Sequence, residues 1–446
     1  MTNTTPGAGD RGFATEQVHA GQRIDPATGA RIVPLYLTAG FAFEDFDEAA
    51  DRFSGGPGFS YTRLGNPTTA AVERKLAALE GGVDAIAVAS GQAAVSIALL
   101  GLLRAGDHLL SARSIYEGSR GLFRDVFSRM GIAVDYVDEP NDPDAWRRAT
   151  RPNTRAYFGE SIPNPRNDLL DLRAVSDIAH ERGIPVVIDN TFATPYLLRP
   201  IEHGVDVVVH STSKFLAGHG NSLGGVIVDS GRFPWARHAA SFPHLTEATG
   251  HGEPSFVERY GPAAYSFFAR DVLAARLGPT LSPFNAFLLQ QGLETLSLRL
   301  GRHSATALRI AEWLEQRPEV ESVEYSGLAS SPYRELSTQY LPRGAGSVFA
   351  FTVRGGEAAA RIVHDSVELF TRMTHLGDVR SLIQHPGTTS HAHATEEEKR
   401  LSGITPGMLR LSVGLEDPDD LIRDLARALD RVPEPPAAST GALATG

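Results

Sequence analysis

A lysine in a polar, glycine-rich stretch is the residue of this sequence whose type and position most directly suggest chemistry. Lys214 lies between hydroxyl side chains and glycines in VDVVVHSTSKFLAGHGNSLGG (205–225), just after an apolar run. Partial burial at a strand end would lower the pKa of its amine and free the amine to attack a carbonyl group. The segment also fits a surface lysine in a flexible loop, and by itself it leaves both possibilities open.

Residues 211–214 also spell S-x-x-K, the nucleophile signature of serine β-lactamases and penicillin-binding proteins. That signature should open a helix and be joined by S-D-N and K-T-G strings, and neither string occurs in the sequence. We therefore reject this class of hydrolase.

An aspartate one crossover unit before the lysine is the second candidate. Asp189 closes the apolar run IPVVIDN (184–190), where an unpaired carboxylate would be costly. A protonated pyridine nitrogen would supply the cationic partner that it needs. The common alternative is an aspartate that caps a turn through the backbone of Asn190 and Thr191. Lys214 and Asp189 together are more informative than either residue alone.

A helix start is the third candidate. In VASGQAAVSIALL (88–100) a strand meets Ser90, Gly91 and Gln92 and passes directly into a helical pattern. Free backbone N–H groups and the dipole at such a start form an anion site. Because glycines are frequent at helix starts, this signal is weak by itself.

The elements that must position these residues form an alternating pattern between about residues 65 and 230. Short apolar runs alternate with helical stretches such as 91–103 and 172–182. This alternation predicts a mostly parallel sheet covered on both faces, with ligands at the carboxyl ends of its strands. The predicted strands are 85–90, 108–112, 132–138, 155–161, 184–190, 205–211 and 224–230.

The rest of the chain predicts further regions. The region 65–275 would be the large domain, and residues 1–64, with few periodic runs, an extended N-terminal arm. Helical spacing from about 262 to 315 leads to strand-like VESVEY, SVFAFTV and MLRLSVG, which predicts a smaller α+β domain over 276–432. The low-complexity tail 433–446 predicts disorder.

Composition excludes several classes of function. The 42 basic and 53 acidic residues give a net charge of −11, which argues against a nucleic-acid or anionic-membrane partner. The absence of cysteine removes disulfides, thiolate zinc sites and cysteine nucleophiles, and we expect no metal site. Neither a signal peptide nor a bilayer-spanning run is found, so a cytoplasmic location is the default expectation.

Several motifs occur in order along the chain: YTRLGNPTTAAVERKLAALEGG (61–82), Ser90-Gly91, Tyr116 in SIYEGS, ESIPNP (160–165), IDNTFATP, HSTSKFLAGHG and RLSVGLED (410–417). Together they resemble the Cys/Met-metabolism branch of the fold-type I pyridoxal-phosphate (PLP) enzymes. The branch includes cystathionine synthases and lyases, methionine γ-lyase and the O-acylhomoserine sulfhydrylases, and the resemblance covers roughly residues 13–430. It implies a PLP-transferase-like fold with a seven-stranded, mostly parallel sheet flanked by helices and a smaller α+β C-terminal domain.

The resemblance implies a role for each matching residue. Lys214 would hold PLP as a Schiff base and shuttle protons, and Asp189 would keep the pyridine nitrogen protonated. Tyr116 would stack on the ring, and Asn164 would lie near its 3′-oxygen. The phosphate would be bound by backbone N–H and hydroxyl groups of Gly91, Gln92, Ser211 and Ser213.

Three further residues are implied at the substrate and at a subunit boundary. Tyr61 and Arg63 match a family pair that reaches the phosphate of the neighbouring subunit. The match implies a dimer in which residues 1–64 form the contacting arm. The resemblance also implies a homotetramer, the usual assembly of the family. Arg410 matches the arginine that grips the substrate α-carboxylate, in a geometry that lysine cannot reproduce. Tyr61 and Tyr116 are both candidates for contacting the substrate and moving protons, and the sequence does not choose between them.

The sequence departs from the family pattern at three positions. Ser213 replaces the usual threonine as an equivalent donor, and Glu117 stands where glycine is frequent. His375 stands where the family often has serine or asparagine near the substrate carboxylate. A histidine there could tune substrate choice, but the sequence favours a histidine packed as filler.

Within the family the chain is most similar to the O-acetylhomoserine sulfhydrylases, also called homocysteine synthases. The long stretch 232–262, the linking helix 281–303 and the segment 376–391 resemble theirs, and Arg380 replaces the glutamate frequent in lyases and cystathionine γ-synthases. Gly118 stands where methionine γ-lyases usually have cysteine. The implied activity is that of a transferase of methionine biosynthesis, which makes L-homocysteine and acetate from O-acetyl-L-homoserine and sulfide or a related thiol.

Other functions stay open at this point. A β- or γ-eliminating lyase or a cystathionine γ-synthase could use the same scaffold. A PLP-binding regulator without catalytic duty is the alternative from another class, and the intact set of lysine, aspartate and arginine argues against it. The sequence leaves undecided whether the acyl group is acetyl or succinyl and which sulfur compound is the donor.

Overall fold

The larger of two sheets forms the centre of the fold. In a computed structural model that describes residues 11–248 and 252–433, its seven strands are β1 (Asp84–Val88), β2 (His108–Ala112), β3 (Ala133–Val137), β4 (Thr154–Glu160), β5 (Val186–Asp189), β6 (Val207–Ser211) and β7 (Gly225–Asp229). The order across the sheet is β1-β7-β6-β5-β4-β2-β3, and β7 alone runs against its neighbours. The predicted fold class, a mostly parallel seven-stranded sheet, is confirmed.

The sequence of the central strands explains their place. In β6, Val207, Val208 and Val209 are consecutive and all three are fully buried. A parallel strand covered by helices on both faces has no solvent side, so it needs apolar residues at successive positions instead of alternate ones. The catalytic candidates follow such strands directly and therefore emerge together at one edge of the sheet.

A smaller sheet lies in the C-terminal part of the chain. It contains β8 (Val320–Glu324), β9 (Val348–Val353), β10 (Thr371–Arg372), β11 (Leu382–Gln384) and β12 (Met408–Ser412). The order is β10-β11-β12-β9-β8, with antiparallel pairing except between β10 and β11. The predicted strands β8, β9 and β12 are present, whereas β10 and β11 were not predicted because each is too short to show a period. The limits of the domains, 65–275 and 276–432, stay a prediction.

Helices cover both sheets. Two π-helical turns, Phe123–Phe127 and Ala269–Ala274, continue helices of the larger domain. The α-helices are α1 (Phe13–His19), α2 (Phe46–Phe53), α3 (Pro67–Glu80), α4 (Gly91–Leu100), α5 (Glu117–Leu122), α6 (Pro143–Ala149), α7 (Leu172–Glu181), α8 (Thr194–Leu197), α9 (Pro243–Thr246), α10 (Phe256–Tyr260), α11 (Ala264–Phe268), α12 (Ala275–Leu277), α13 (Pro283–Glu294), α14 (Leu296–Glu315), α15 (Arg334–Tyr340), α16 (Gly356–Ser366), α17 (Glu396–Leu401) and α18 (Pro418–Leu429). None of the helices in the described ranges is long and apolar enough to cross a membrane.

The N-terminal segment differs from the prediction of an extended arm, because it contains the short helices α1 and α2. Helix α1 ends on a buried lysine of α3: the amine of Lys75 donates to the carbonyl oxygens of Gln17, at 2.6 Å, and Val18, at 3.3 Å. Much of the segment beyond α1 exposes large apolar side chains, those of Ile24, Ile32, Leu37, Phe46, Phe53 and Leu64. Most of the tail predicted as disordered, residues 434–446, lies outside the described residues.

Candidate active site

A cavity of about 1160 Å³ opens where β1, β4, β5 and β6 end and β7 begins. The smaller sheet closes its other side, through the loop residues 373–376 and through Arg410 in β12. The cavity brings together many residues that the sequence singled out, namely Ser90, Gly91, Gln92, Tyr116, Glu117, Gly118, Asn164, Asp189, Ser211, Ser213, Lys214, His375 and Arg410.

Lys214 projects from a tight turn after β6. Its backbone N–H donates to the Ser211 carbonyl at 3.3 Å, and its carbonyl accepts from the Gly218 N–H at 2.8 Å. Burial, aided by the charge of Arg410, lowers the pKa of the Lys214 amine to about 8. A substantial fraction of the amine is therefore neutral near physiological pH, which a nucleophile or a base requires.

A buried arginine holds this turn from below. The guanidinium of Arg299, on α14, donates to the carbonyl oxygens of Phe215 at 2.8 Å and Leu216 at 3.3 Å, and to that of Gly292 at 2.8 Å. From the opposite side Gly377, with φ +74°, lies so close that a Cβ atom there would be 2.6 Å from the Phe215 nitrogen. The residues that follow the lysine are thus held by α14 and closely approached by the loop around Gly377.

The start of α4 forms a cradle for an anion. Ser90 caps the helix by accepting the Ala93 N–H at 3.1 Å, and the first N–H groups of a helix have no partner within it. A Cβ atom on Gly91 would lie 2.6 Å from Cβ of Ser211, so the residue must be glycine for β6 and α4 to approach. Ser211 and Ser213 add hydroxyl groups to the rim. This arrangement fits a phosphate group.

Two carboxyl groups lie side by side at the ends of β4 and β5. Asp189 accepts the Thr191 N–H at 2.9 Å, and burial raises the pKa of its carboxyl. Glu160 is its neighbour in the sheet register and accepts the Tyr116 N–H at 2.5 Å. Burial, together with Asp189, raises the pKa of Glu160 well above its ordinary value. A cation placed against Asp189 would restore its ionised form.

The sequence predicts no separate role for Glu160, which belongs to the motif ESIPNP. An acidic residue directly after an apolar strand was the available signal, the same signal that pointed to Asp189. Its contact with the Tyr116 backbone shows that it orients a residue of the predicted cofactor site.

Arg410 lies at the opposite wall and is only 3% exposed. It donates to Asn164 Oδ1 at 3.2 Å and to the carbonyl oxygens of Thr374 at 3.1 Å and His375 at 3.0 Å. Within the described ranges its Nε has no acceptor. Burial lowers the pKa of Arg410 to about 10, so it remains a cation at neutral pH. A buried guanidinium with spare donors is suited to bind a ligand carboxylate.

Tyr116 and Glu117 stand at the mouth of the cavity. Tyr116 is 48% exposed and directly precedes α5. The Glu117 carboxylate lies 4.0 Å from Arg120 and 3.9 Å from Arg124, and burial raises the pKa of Glu117. The mouth therefore carries paired charges beside an aromatic ring.

Tyr61 and Arg63 do not line the cavity of their own chain. The guanidinium carbon of Arg63 lies 5.4 Å from the centre of the Tyr61 ring, and Arg63 donates to the carbonyl oxygen of Ala275. Tyr61 is 45% exposed. Their predicted action across a subunit interface stays a prediction.

The residues present fit PLP. The cradle at α4 suits its phosphate, Asp189 suits its pyridine nitrogen, and Lys214 supplies an amine for its aldehyde. The fit rests on the close approach at Gly91 and on a buried carboxyl that requires a cation.

Comparisons with known proteins agree with this geometry. The model of the family described as Cys/Met metabolism PLP-dependent enzyme matches residues 14–430. The chain is 43% identical over 443 residues to an O-acetyl-L-homoserine sulfhydrylase of Leptospira meyeri, covering 95% of this chain and 98% of that protein. It is 42% identical over 420 residues to the enzyme of the same name from Corynebacterium glutamicum, covering 93% and 96%.

A solved structure is similar as well. The Campylobacter jejuni crystal structure described as an O-acetylhomoserine (thiol)-lyase superposes with a TM-score of 0.90 at 35% identity, covering 94% of this chain and all of that one. That protein carries N′-pyridoxyl-lysine-5′-monophosphate, a lysine joined to the cofactor.

Proposed function

The chain belongs to the Cys/Met-metabolism family of PLP-dependent enzymes, and from this premise we propose that it is an O-acetylhomoserine sulfhydrylase. In the proposed reaction sulfide or a related thiol replaces the acetate group at Cγ of O-acetyl-L-homoserine, which gives L-homocysteine and acetate. The observation that carries the proposal is a single cavity in which Lys214, Asp189 and Arg410 meet. Similarity to O-acetyl-L-homoserine sulfhydrylases over nearly the whole chain supports the choice of reaction.

The cofactor would be held by groups on every side of the cavity. When bound, PLP supplies an electron sink that makes the α-proton of an amino acid acidic. Lys214 would hold it covalently, Asp189 would pair with its ring nitrogen, and Tyr116 and Asn164 would contact the ring. The phosphate would lie against Gly91, Gln92, Ser211 and Ser213.

Residues of the chain would bind the substrate and transfer its protons. Arg410 would bind the substrate α-carboxylate through its spare N–H group and so direct Cα toward Lys214. The neutral Lys214 amine would take the α-proton and later return it. Tyr116 at the cavity mouth, or Tyr61 from a neighbouring subunit, would move protons at Cβ and Cγ.

The test is an assay of products. Purified protein loaded with PLP is mixed with O-acetyl-L-homoserine and sulfide, and homocysteine is measured against ammonia plus 2-oxobutanoate. We expect homocysteine in excess. Keto acid and ammonia without homocysteine would instead identify an eliminating lyase and refute the proposal. A parallel assay with O-succinyl-L-homoserine determines the acyl preference, and one with L-cysteine in place of sulfide tests for a cystathionine γ-synthase.

We further propose that the enzyme works as a dimer, with Tyr61 and Arg63 completing the neighbour's site. The exposed apolar side chains between residues 24 and 64 support this, because such a surface is suited to burial against another chain. A homotetramer stays a prediction that rests on the resemblance, and a cytoplasmic location stays the default expectation from the sequence.

A further inference from the structure

His375 lies beside the amine of Lys214, and the proposed reaction gives it no role. Its Nδ1 is 3.0 Å from Nζ of Lys214. Its backbone carbonyl accepts from the Arg410 guanidinium at 3.0 Å. One residue therefore connects the proposed base to the proposed carboxylate-binding arginine.

The surroundings of the ring argue against a histidine packed as filler. Its Nε2 is buried and has no hydrogen-bond partner in the part of the chain that the structure describes. Ring nitrogens of His108, His210 and His303 are buried and unpaired in the described residues as well, so the unpaired atom alone does not distinguish His375. The contact of its Nδ1 with the Lys214 amine does, because it places the ring against the proposed base.

Burial and the neighbouring cations keep the His375 ring neutral. Burial, followed by the charge of Lys214, lowers the pKa of His375 to about 4; Arg410 acts in the same direction, and Asp378 opposes them. With the proton on Nε2, Nδ1 has a free lone pair that can accept a hydrogen bond.

We propose that His375 is a further catalytic residue, whose Nδ1 accepts an N–H of Lys214 and directs the lone pair of the freed amine toward the substrate Cα. The inference rests on the proposed function, in which Lys214 is the base. In the step concerned, the Cα–H bond breaks, its electron pair stays with the substrate, and its proton joins the Lys214 lone pair. His375 stays neutral throughout and accepts a hydrogen bond from the resulting ammonium group.

The experiment measures removal of the α-proton alone, with an amino acid that cannot undergo γ-replacement. Holoenzyme is incubated in D₂O with L-norvaline, which has no leaving group, and loss of the α-proton is followed by NMR. We expect His375→Phe to slow α-proton exchange by at least about tenfold relative to the unmodified protein. His375→Asn keeps an acceptor oxygen, so its exchange rate should stay within about threefold of the unmodified protein's rate. The control His364→Phe, which removes a histidine on α16 outside the cavity, should leave the rate unchanged.

A second readout needs no turnover. In the cofactor-free full chain, acylation of Lys214 is followed against pH by mass spectrometry. In the unmodified protein, the hydrogen bond to His375 favours the ammonium form of Lys214. His375→Phe removes this acceptor, so the pH midpoint of Lys214 acylation should be lower than in the unmodified protein. If His375→Phe does not fold, His375→Ala takes its place, and added imidazole should restore exchange.

Several results would overturn the inference. These are unchanged exchange and an unchanged acylation midpoint in His375→Phe, an Asn variant as slow as the Phe variant, or no exchange in the unmodified protein. A protein that exchanges L-norvaline in a His375-dependent way but forms no homocysteine would refute the proposed reaction and leave this inference standing.

Discussion

At the scale of single residues, the site depends on burial that changes the charge state of a few groups. Lys214 is one of only three lysines in the chain, with Lys75 and Lys399. Lys75 is buried beneath α1, and Lys399 pairs with Glu396 on α17. Lys214 is therefore the lysine whose amine reaches the cavity, and its assignment can be tested cleanly.

We expect Lys214→Ala to abolish turnover, because it removes both the attachment point of the cofactor and the proposed base. The visible absorbance of lysine-bound cofactor should also disappear, as measured by spectrophotometry of protein dialysed against PLP. Lys399→Ala is the matched control and should keep both properties. A yellow, active Lys214→Ala protein would refute the assignment.

Most of the predicted site residues came from the family resemblance; the local pattern pointed to Asp189 and Lys214, because each follows an apolar strand. Glu160 follows one too, but only the register of β4 against β5 reveals that it adjoins Asp189. The contact between His375 and Lys214 joins residues 161 positions apart and depends on how the two sheets meet. A local sequence pattern cannot predict a contact between residues so far apart in the chain.

At the scale of elements, sequence periodicity located all seven strands of the larger sheet, because buried parallel strands are continuous apolar runs. It missed β10 and β11, of two and three residues, and the helices α1 and α2. Such short elements have too few residues to show a period, and some of them are stabilised by tertiary contacts rather than by their own pattern, although α2 buries none of its residues. Helix α1 is the clearest case, since its last carbonyls bind the Lys75 amine.

This lysine predicts a specific pH dependence. Burial lowers the pKa of Lys75 to about 8 in the folded protein, whereas an unfolded lysine has its ordinary pKa of 10.5. Below pH 8 both states are charged and the folded state bears the full cost of burying the charge. Between pH 8 and 10.5 the unfolded state binds more protons, so stability rises with pH.

We expect Lys75→Met to remove this rise, which amounts to at most about 3 kcal/mol. The measurement is urea unfolding of both proteins between pH 7 and 10.5, compared as a difference so that other groups cancel. A difference that stays constant over this range would contradict a buried, shifted Lys75. Lys399→Met, on an exposed helix, serves as control.

At the scale of the whole molecule, one chain contains the cavity but not all of the residues that the family resemblance places around the cofactor. Tyr61 and Arg63 lie outside it, beside the apolar surface of residues 24–64. A second copy of the chain would bury the apolar surface of residues 24–64 and would receive Tyr61 and Arg63 at its cofactor site. The sequence implied this assembly through the family resemblance.

We expect Arg63→Ala to weaken PLP retention by about tenfold, because a cation would be lost from the phosphate of the partner's site. It should also loosen the dimer. Equilibrium dialysis measures the first effect and sedimentation velocity the second, with Arg361→Ala on α16 as a control. A monomer that holds PLP with full activity would exclude a site shared between subunits.

The backbone around Gly377 has a consequence for redesign. Residues 375–379 are anchored by main-chain groups: the Gly377 N–H donates to Ser412 Oγ at 2.9 Å and the Val379 N–H donates to the Gly218 carbonyl at 2.9 Å. Neither bond uses the side chain of position 375. The side chain at position 375 can therefore be substituted without removing the hydrogen bonds that hold the turn after Lys214. A library of variants at this single position would change the chemistry next to the lysine amine and preserve the surrounding backbone.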